Sequence, residues 1–103
     1  MDIVYSKNEV PIRLTEERWE HITKNHDYMS PYYFEIMETI ADPELIIAGR
    51  VGELIALKAQ KKSEKRLVVI CREISKNNGF VITAFLTKKI QRMKRRKILW
   101  QKS

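Results

Sequence analysis

The chain has 103 residues, 44% of them hydrophobic and 32% charged, with a formal net charge of +7 at pH 7. That length suits one domain, since two halves would each be too small to bury a good core, so residues 1-103 are expected to fold as a single unit. The composition excludes intrinsic disorder, and the lone cysteine, Cys71, excludes a disulfide framework or a cysteine-based zinc site.

The first expected element is a short N-terminal strand region within residues 1-14. There Val10-Pro11-Ile12-Arg13-Leu14 alternates like an edge strand facing Ile3-Val4-Tyr5 across the polar turn Ser6-Lys7-Asn8-Glu9. Met1 to Tyr5 has no basic n-region followed by an apolar stretch, and no segment approaches 18 consecutive apolar residues. A cytoplasmic protein without a membrane partner is the expectation. Thr15 then reads as a helix N-cap, with Glu16 and Glu17 in the first turn where the helix dipole favours them. Trp19, Ile22 and His26 recur on one helical face, so His26 is expected to prolong a buried stripe. Ser30-Pro31 restarts a helix with a cap and an N1 proline; Tyr33, Ile36, Met37 and Ile40 form its apolar face, and Asp42-Pro43 stops it.

Everything after Pro43 has strand character: Leu45 to Ala48, Glu53 to Ala59, Arg66 to Glu73, Phe80 to Thr87 and Lys97 to Gln101, with a charged turn before Arg66 and an Asn77-Asn78-Gly79 turn before Phe80. Links this short make antiparallel hairpins, because a parallel crossover needs a dozen or more residues. The expected fold is α+β, two N-terminal helices packed on one face of a four- to five-stranded antiparallel sheet. Its core is expected to contain Trp19, Ile22, Tyr33, Ile36, Met37, Ile40, Leu67, Val69, Ile82 and Ala84. Thr83 and Thr87 are expected to share a strand face with Val81 and Phe85.

Charge is one-sided. No acidic residue follows Glu73, whereas nine Lys or Arg lie between Ile74 and Ser103. The basic C-terminal segment (88-103) attracts a polyanion through long-range electrostatics and counterion release, and Lys88, Lys89, Arg92, Lys94, Arg95, Arg96 and Lys97 are its expected phosphate contacts.

Glycine is too sparse for a nucleotide-binding loop, so no cofactor is expected. The histidines, His21 and His26, sit five residues apart, about 140° around a helix, and do not converge on one ion. No metal site is expected either. Lys58, Arg72 and Thr83 each interrupt an apolar strand. A sheet face carrying such groups beside a helix-terminal histidine has the parts for phosphodiester chemistry. The imidazole moves protons near neutral pH, the cation offsets charge that builds in the transition state, and the hydroxyl donates a positioned hydrogen bond.

The order Ile12-x-Leu14-Thr15-x-x-Arg18-Trp19-x-His21-Ile22-x-x-x-His26, then Asp42-Pro43, then Phe80-Val81-Ile82-Thr83-Ala84-Phe85 and a late Trp100 resembles the phage-associated nuclease-like proteins of the barnase, EndoU, colicin and RelE-like superfamily. The resemblance runs from Ile12 to Trp100 and implies a metal-independent endoribonuclease, toxin-like, acting on RNA. It implies His26 and Thr83 as site residues, with Lys58 and Arg72 as the basic members and His21 as the alternative histidine. Attack by the ribose 2′-hydroxyl, leaving a 2′,3′-cyclic phosphate, is the expected reaction, and an acidic antitoxin or immunity-type protein the expected protein partner. The rival expectation is a catalytically silent RNA-binding or protein-interaction module with the same fold.

Overall fold

The computed structural model describes residues 2–60 and 63–103. Met1, and Lys61 and Lys62 of the expected charged turn, lie outside the described residues. A hairpin of β1 (Asp2–Tyr5) and β2 (Pro11–Leu14) leads into α1 (Glu16–Asn25), a 3-10 segment (Asp27–Tyr32) and α2 (Tyr33–Ala41). Then come β3 (Leu45–Ala48), β4 (Leu54–Ala59), β5 (Arg66–Ser75), β6 (Asn78–Thr87), a one-turn helix α3 (Gln91–Lys94) and β7 (Ile98–Gln101).

These strands form one seven-stranded sheet in the order β1-β2-β6-β5-β4-β3-β7. The antiparallel run β3-β4-β5-β6 follows from the short turns, as expected. The expected two N-terminal helices on a four- to five-stranded antiparallel sheet are nonetheless corrected in three respects. Behind the expected N-terminal hairpin the helices come in the middle of the chain; that hairpin joins the sheet, which thereby has seven strands; and it does so in parallel, through Ile12↔Gly79 and Arg13↔Phe80. Gly79 makes this approach possible, because a Cβ there would come within 2.5 Å of the Ile12 side chain and 2.9 Å of the Arg72 carbonyl. Strand β7 pairs with β3 at the far edge, so the connection from Thr87 to Ile98 crosses over the sheet.

Local chemistry sets the helix ends. The Thr15 hydroxyl accepts from the Arg18 backbone N–H at 3.1 Å, the expected N-cap. Helix α2 ends at Ala41 with Asp42 as its C-cap, again as expected. The restart at Ser30-Pro31 is corrected: Pro31 lies inside the 3-10 segment and α2 begins at Tyr33. His26 is also corrected. It is the half-buried C-cap of α1, and the buried position of that helix is Ile22.

Each sheet face carries its own apolar cluster. On one face α1, the 3-10 segment and α2 cover Ile12, Leu14, Leu67, Val69, Cys71, Val81 and Ala84 with Ile22, Met29, Ile36 and Ile40, and Trp19, Tyr33 and Met37 pack at its margin. Trp19 meets Tyr33 edge-on at 5.0 Å between ring centroids. Burial, and secondarily Glu73, pushes the Cys71 thiol up to about 12, so it acts as a small hydrophobe. The opposite face holds Leu45, Ile47, Ile55, Leu57 and Val68, and against them pack Ile70, Phe85, Ile90 and Met93. Ile90 and Met93 come from the crossing connection, which straps this second face.

A bulge in β6 decides which residues face which way. Consecutive Ile70 and Cys71 pair with Thr83 and Val81, leaving Ile82 as the extra residue. Val81 therefore joins the helix-side core while Thr83 and Phe85 point to the strapped face, so the expected common face of Thr83, Phe85 and Val81 is corrected. Ile82 drops out of the expected core for the same reason.

The sheet's two edges approach one another over the end of α2. Lys7, between β1 and β2, places its Nζ 4.9 Å from the centre of the Trp100 ring in β7 and 4.0 Å from Asp42.

Candidate nucleic-acid interface

Strand register places the polar candidates. Arg72 pairs with Phe80, and Phe80 with Arg13 across the parallel junction, so Arg13, Phe80 and Arg72 form one row across three strands. Their neighbours Ile12, Gly79 and Cys71 face the helices, so this row lies on the other face. Thr83 pairs with Ile70 and Phe85 with Val68 on the same face further along. Beyond Phe80, β2 no longer pairs with β6, and α1 lies along the side that β2 vacates. That seam runs from Arg13 and Phe80 to His26, whose ring lies 6.1 Å from that of Phe85.

His26 is held in place at the end of α1. Its backbone N–H donates to the Ile22 carbonyl at 2.8 Å, and its Nδ1 lies 3.3 Å from the Tyr28 hydroxyl. This fixes one edge of the ring and leaves Nε2 without a partner among the described residues. Thr83 and Arg72 lie on this face two residue pairs apart along the β5–β6 ladder, with the Arg72 guanidinium turned toward Gly52 in the β3–β4 turn and His26 beside Phe85.

Lys58 is not with them. It pairs with Leu67 on the helix side, where its ammonium donates to the Asp42 carbonyl at 2.9 Å and carboxylate at 3.2 Å, with Glu38 at 3.7 Å. The side chain therefore satisfies the carbonyl end of α2 and cannot also face Thr83. Asp42 in turn is held below the usual carboxylate range, first by Lys58 and then by Lys102. His21 is likewise apart, on the exposed side of α1, with the Asn25 amide 3.1 Å from its Nε2. Among the described residues no three His, Cys, Asp or Glu side chains gather as a potential metal site.

The strap supplies the positive field. Lys88, Lys89, Arg92, Lys94, Arg95 and Lys97 are exposed and Arg96 half-buried, while Ile90 and Met93 hold the segment down. Of these seven cations only Lys88 has a carboxylate within 4.0 Å among the described residues, the exposed Glu64 at 3.8 Å. Glu53 sits near Arg72 and Arg96: its carboxylate accepts from the Val51 N–H at 2.8 Å and is held low by that bond first, with the two guanidinium charges adding to it. Arg13 donates to Asn78 Oδ1 at 2.6 Å and to the Gly79 carbonyl at 3.4 Å. Both acceptors are neutral, so they orient the guanidinium without cancelling its charge.

Arg13, Tyr28, Phe80 and Phe85 also belong to this surface, and the sequence did not mark them as site residues. Alternation in Pro11–Leu14 already points Arg13 away from Ile12 and Leu14, but its approach to Phe80 depends on a parallel pairing between segments more than 60 residues apart in the sequence. No helix among the described residues is long and apolar enough to cross a membrane. No protein-family model, no curated protein and no solved structure matches this chain.

Proposed function

We propose that this is a protein of single-stranded RNA, and within that class a toxin-like endoribonuclease. The observation that carries the reading is the basic strap, six of whose seven cations have no carboxylate within 4.0 Å among the described residues, lying over the sheet face that carries Thr83 and Arg72 and adjoins His26 at Phe85. A polyanion bound there replaces condensed counterions, and the aromatic rings of Phe80 and Phe85 offer faces on which bases stack. The order of motifs from Ile12 to Trp100, which nominated His26 and Thr83, points the same way.

In this reaction the 2′-hydroxyl of the substrate gives its proton to His26 Nε2, and O2′ attacks the adjacent phosphorus. The bond from phosphorus to O5′ breaks, O5′ takes a proton from the imidazolium or from water, and a 2′,3′-cyclic phosphate and a 5′-hydroxyl remain. Arg72 offsets the charge that builds on the phosphoryl oxygens, and Thr83 donates a hydrogen bond to one of them. Pre-positioning of O2′ beside phosphorus supplies the remaining advantage.

One observation favours the rival reading, a binding module without catalysis. Lys58, the second expected cation, is engaged at the end of α2, which leaves Arg72 as the one catalytic cation of the expected set. Incubating purified protein with total RNA and with DNA separates the two. Fragments ending in cyclic phosphate, with DNA bound and intact, support the nuclease; RNA that is retarded but never shortened supports the binding module. An acidic inhibitor protein fits the same strap and should compete with RNA for it.

A further inference from the structure

At the end of the seam opposite His26 lies a groove of about 270 Å³ lined by Arg13, Thr15, Glu17, Arg18, Phe80 and Val81. Its chemistry differs from that of the strap. It combines two guanidinium groups without a carboxylate partner among the described residues, an aromatic ring and a single carboxylate, that of Glu17. A purely electrostatic phosphate track gains nothing from Glu17, which repels the backbone. A carboxylate accepts hydrogen bonds and cannot donate them, so it matches a base edge that presents an N–H₂ group. Uracil presents only N3–H, flanked by two carbonyl oxygens that repel a carboxylate.

We infer that this groove is a nucleotide subsite: Phe80 stacks the base, Arg13 and Arg18 hold its phosphates, and Glu17 selects bases with an exocyclic amino group over uracil. The inference rests on the RNA reading and deepens it, by placing base choice away from the reacting phosphate. Across the bulge at Ile82, Phe80 and Thr83 pair with Arg72 and Ile70, two residues apart on β5 and so about 7 Å at ordinary strand rise, and one RNA strand engages both places at once. Arg13 is already oriented by Asn78 and Gly79, which lowers the ordering cost of gripping phosphate.

The test is equilibrium binding of fluorescent 2′-O-methyl oligonucleotides, which cannot undergo 2′-hydroxyl attack, so that cleavage is removed from the measurement. The full-length protein should bind oligo-C and oligo-A roughly tenfold more tightly than oligo-U. Glu17→Gln, which can donate as well as accept, should bring the three within about twofold by improving oligo-U. Phe80→Leu, which keeps an apolar side chain of similar bulk, should weaken all three roughly tenfold through reduced stacking, with its melting temperature as the folding control. Equal affinity of the wild type for all three, a base preference that survives Glu17→Gln, or unchanged affinity in a folded Phe80→Leu overturns the subsite while leaving the nuclease reading standing. Failure to bind any of the oligonucleotides overturns both.

Discussion

The two faces of the sheet treat a basic residue in opposite ways. On the helix side Lys58 is surrounded by Asp42 and Glu38 and bonded to the last carbonyl region of α2. On the strapped side Arg72 pairs across the sheet with Phe80, and its charge helps hold Glu53 low, a carboxylate already bonded by backbone N–H groups. In the sequence both look alike, a cation interrupting an apolar strand. One completes a helix end, and the other has no carboxylate within 4.0 Å among the described residues. The contrast teaches that a basic residue in a strand acquires its role from the element beside it on its face, here the C-terminus of α2 for Lys58 and the turn at Gly52 and Glu53 for Arg72.

The largest expected effect tests the open face. His26→Ala should lower RNA cleavage by about 10²- to 10⁴-fold while leaving the melting temperature close to that of the wild type. His21→Ala, altering the exposed side of α1, should leave cleavage within about twofold. Fragment yield from a defined RNA measures both, and a reversal of the two results would move the catalytic histidine to the outer face of α1.

Next comes the closed face, where the effect should be on stability alone. Ile36 is fully buried between α2 and the sheet, so Ile36→Ala should destabilise by about 2 to 5 kcal/mol in denaturant titration. Met93, half-buried under the strap, should cost about 1 kcal/mol when cut to Ala. If Met93→Ala proved as costly as Ile36→Ala, the strap would be an integral layer of the second core.

The direct comparison is Arg72→Met against Lys58→Met. Arg72→Met should lower cleavage by roughly 10²-fold with little change in stability. Lys58→Met should leave cleavage alone and cost about 1 to 2 kcal/mol, because it removes the ammonium that bonds to Asp42. Cleavage impaired by Lys58→Met with stability intact would contradict the separation of the faces. A smaller effect belongs to the strap. Reversing charge at Lys94, Arg95 and Arg96 should flatten the dependence of log affinity on log salt by roughly 0.7 for each phosphate no longer neutralised.

Much of this was legible in the sequence for local reasons. The Thr15 cap, the stop at Asp42-Pro43 and the hairpins from Leu45 to Thr87 all follow from residues near one another in the chain. The parallel contact between β2 and β6, the return of β7 to β3 and the bulge at Ile82 do not, because each is settled by packing between distant segments. The candidate site divides in the same way. His26, Thr83 and Arg72 are marked by residue type and position in their own elements, whereas the engagement of Lys58 and the presence of Arg13 and Phe80 depend on which face each strand turns to which neighbour.

The smallest expected effect concerns Asp42, where the two sheet edges meet. Its carboxylate stands at the C-terminus of α2, a place where the helix dipole disfavours negative charge. Lys58, Lys102 at 3.4 Å and Lys7 at 4.0 Å offset that, and the first two draw its pKa below the ordinary 3.8. A carboxyl group with a lowered folded pKa contributes stability that is complete above its unfolded pKa and disappears as pH falls through the folded one. The melting temperature of the wild type should therefore exceed that of Asp42→Asn by a constant margin above about pH 5, and the margin should narrow below the ordinary value of 3.8. Because Asp42 is solvent-exposed, added salt should shrink the same margin at neutral pH. A margin that held steady from about pH 7 to about pH 2.5 would mean that Asp42 acts through its shape and neutral hydrogen bonds, and that Lys58 is held by the α2 carbonyl instead of by the charge.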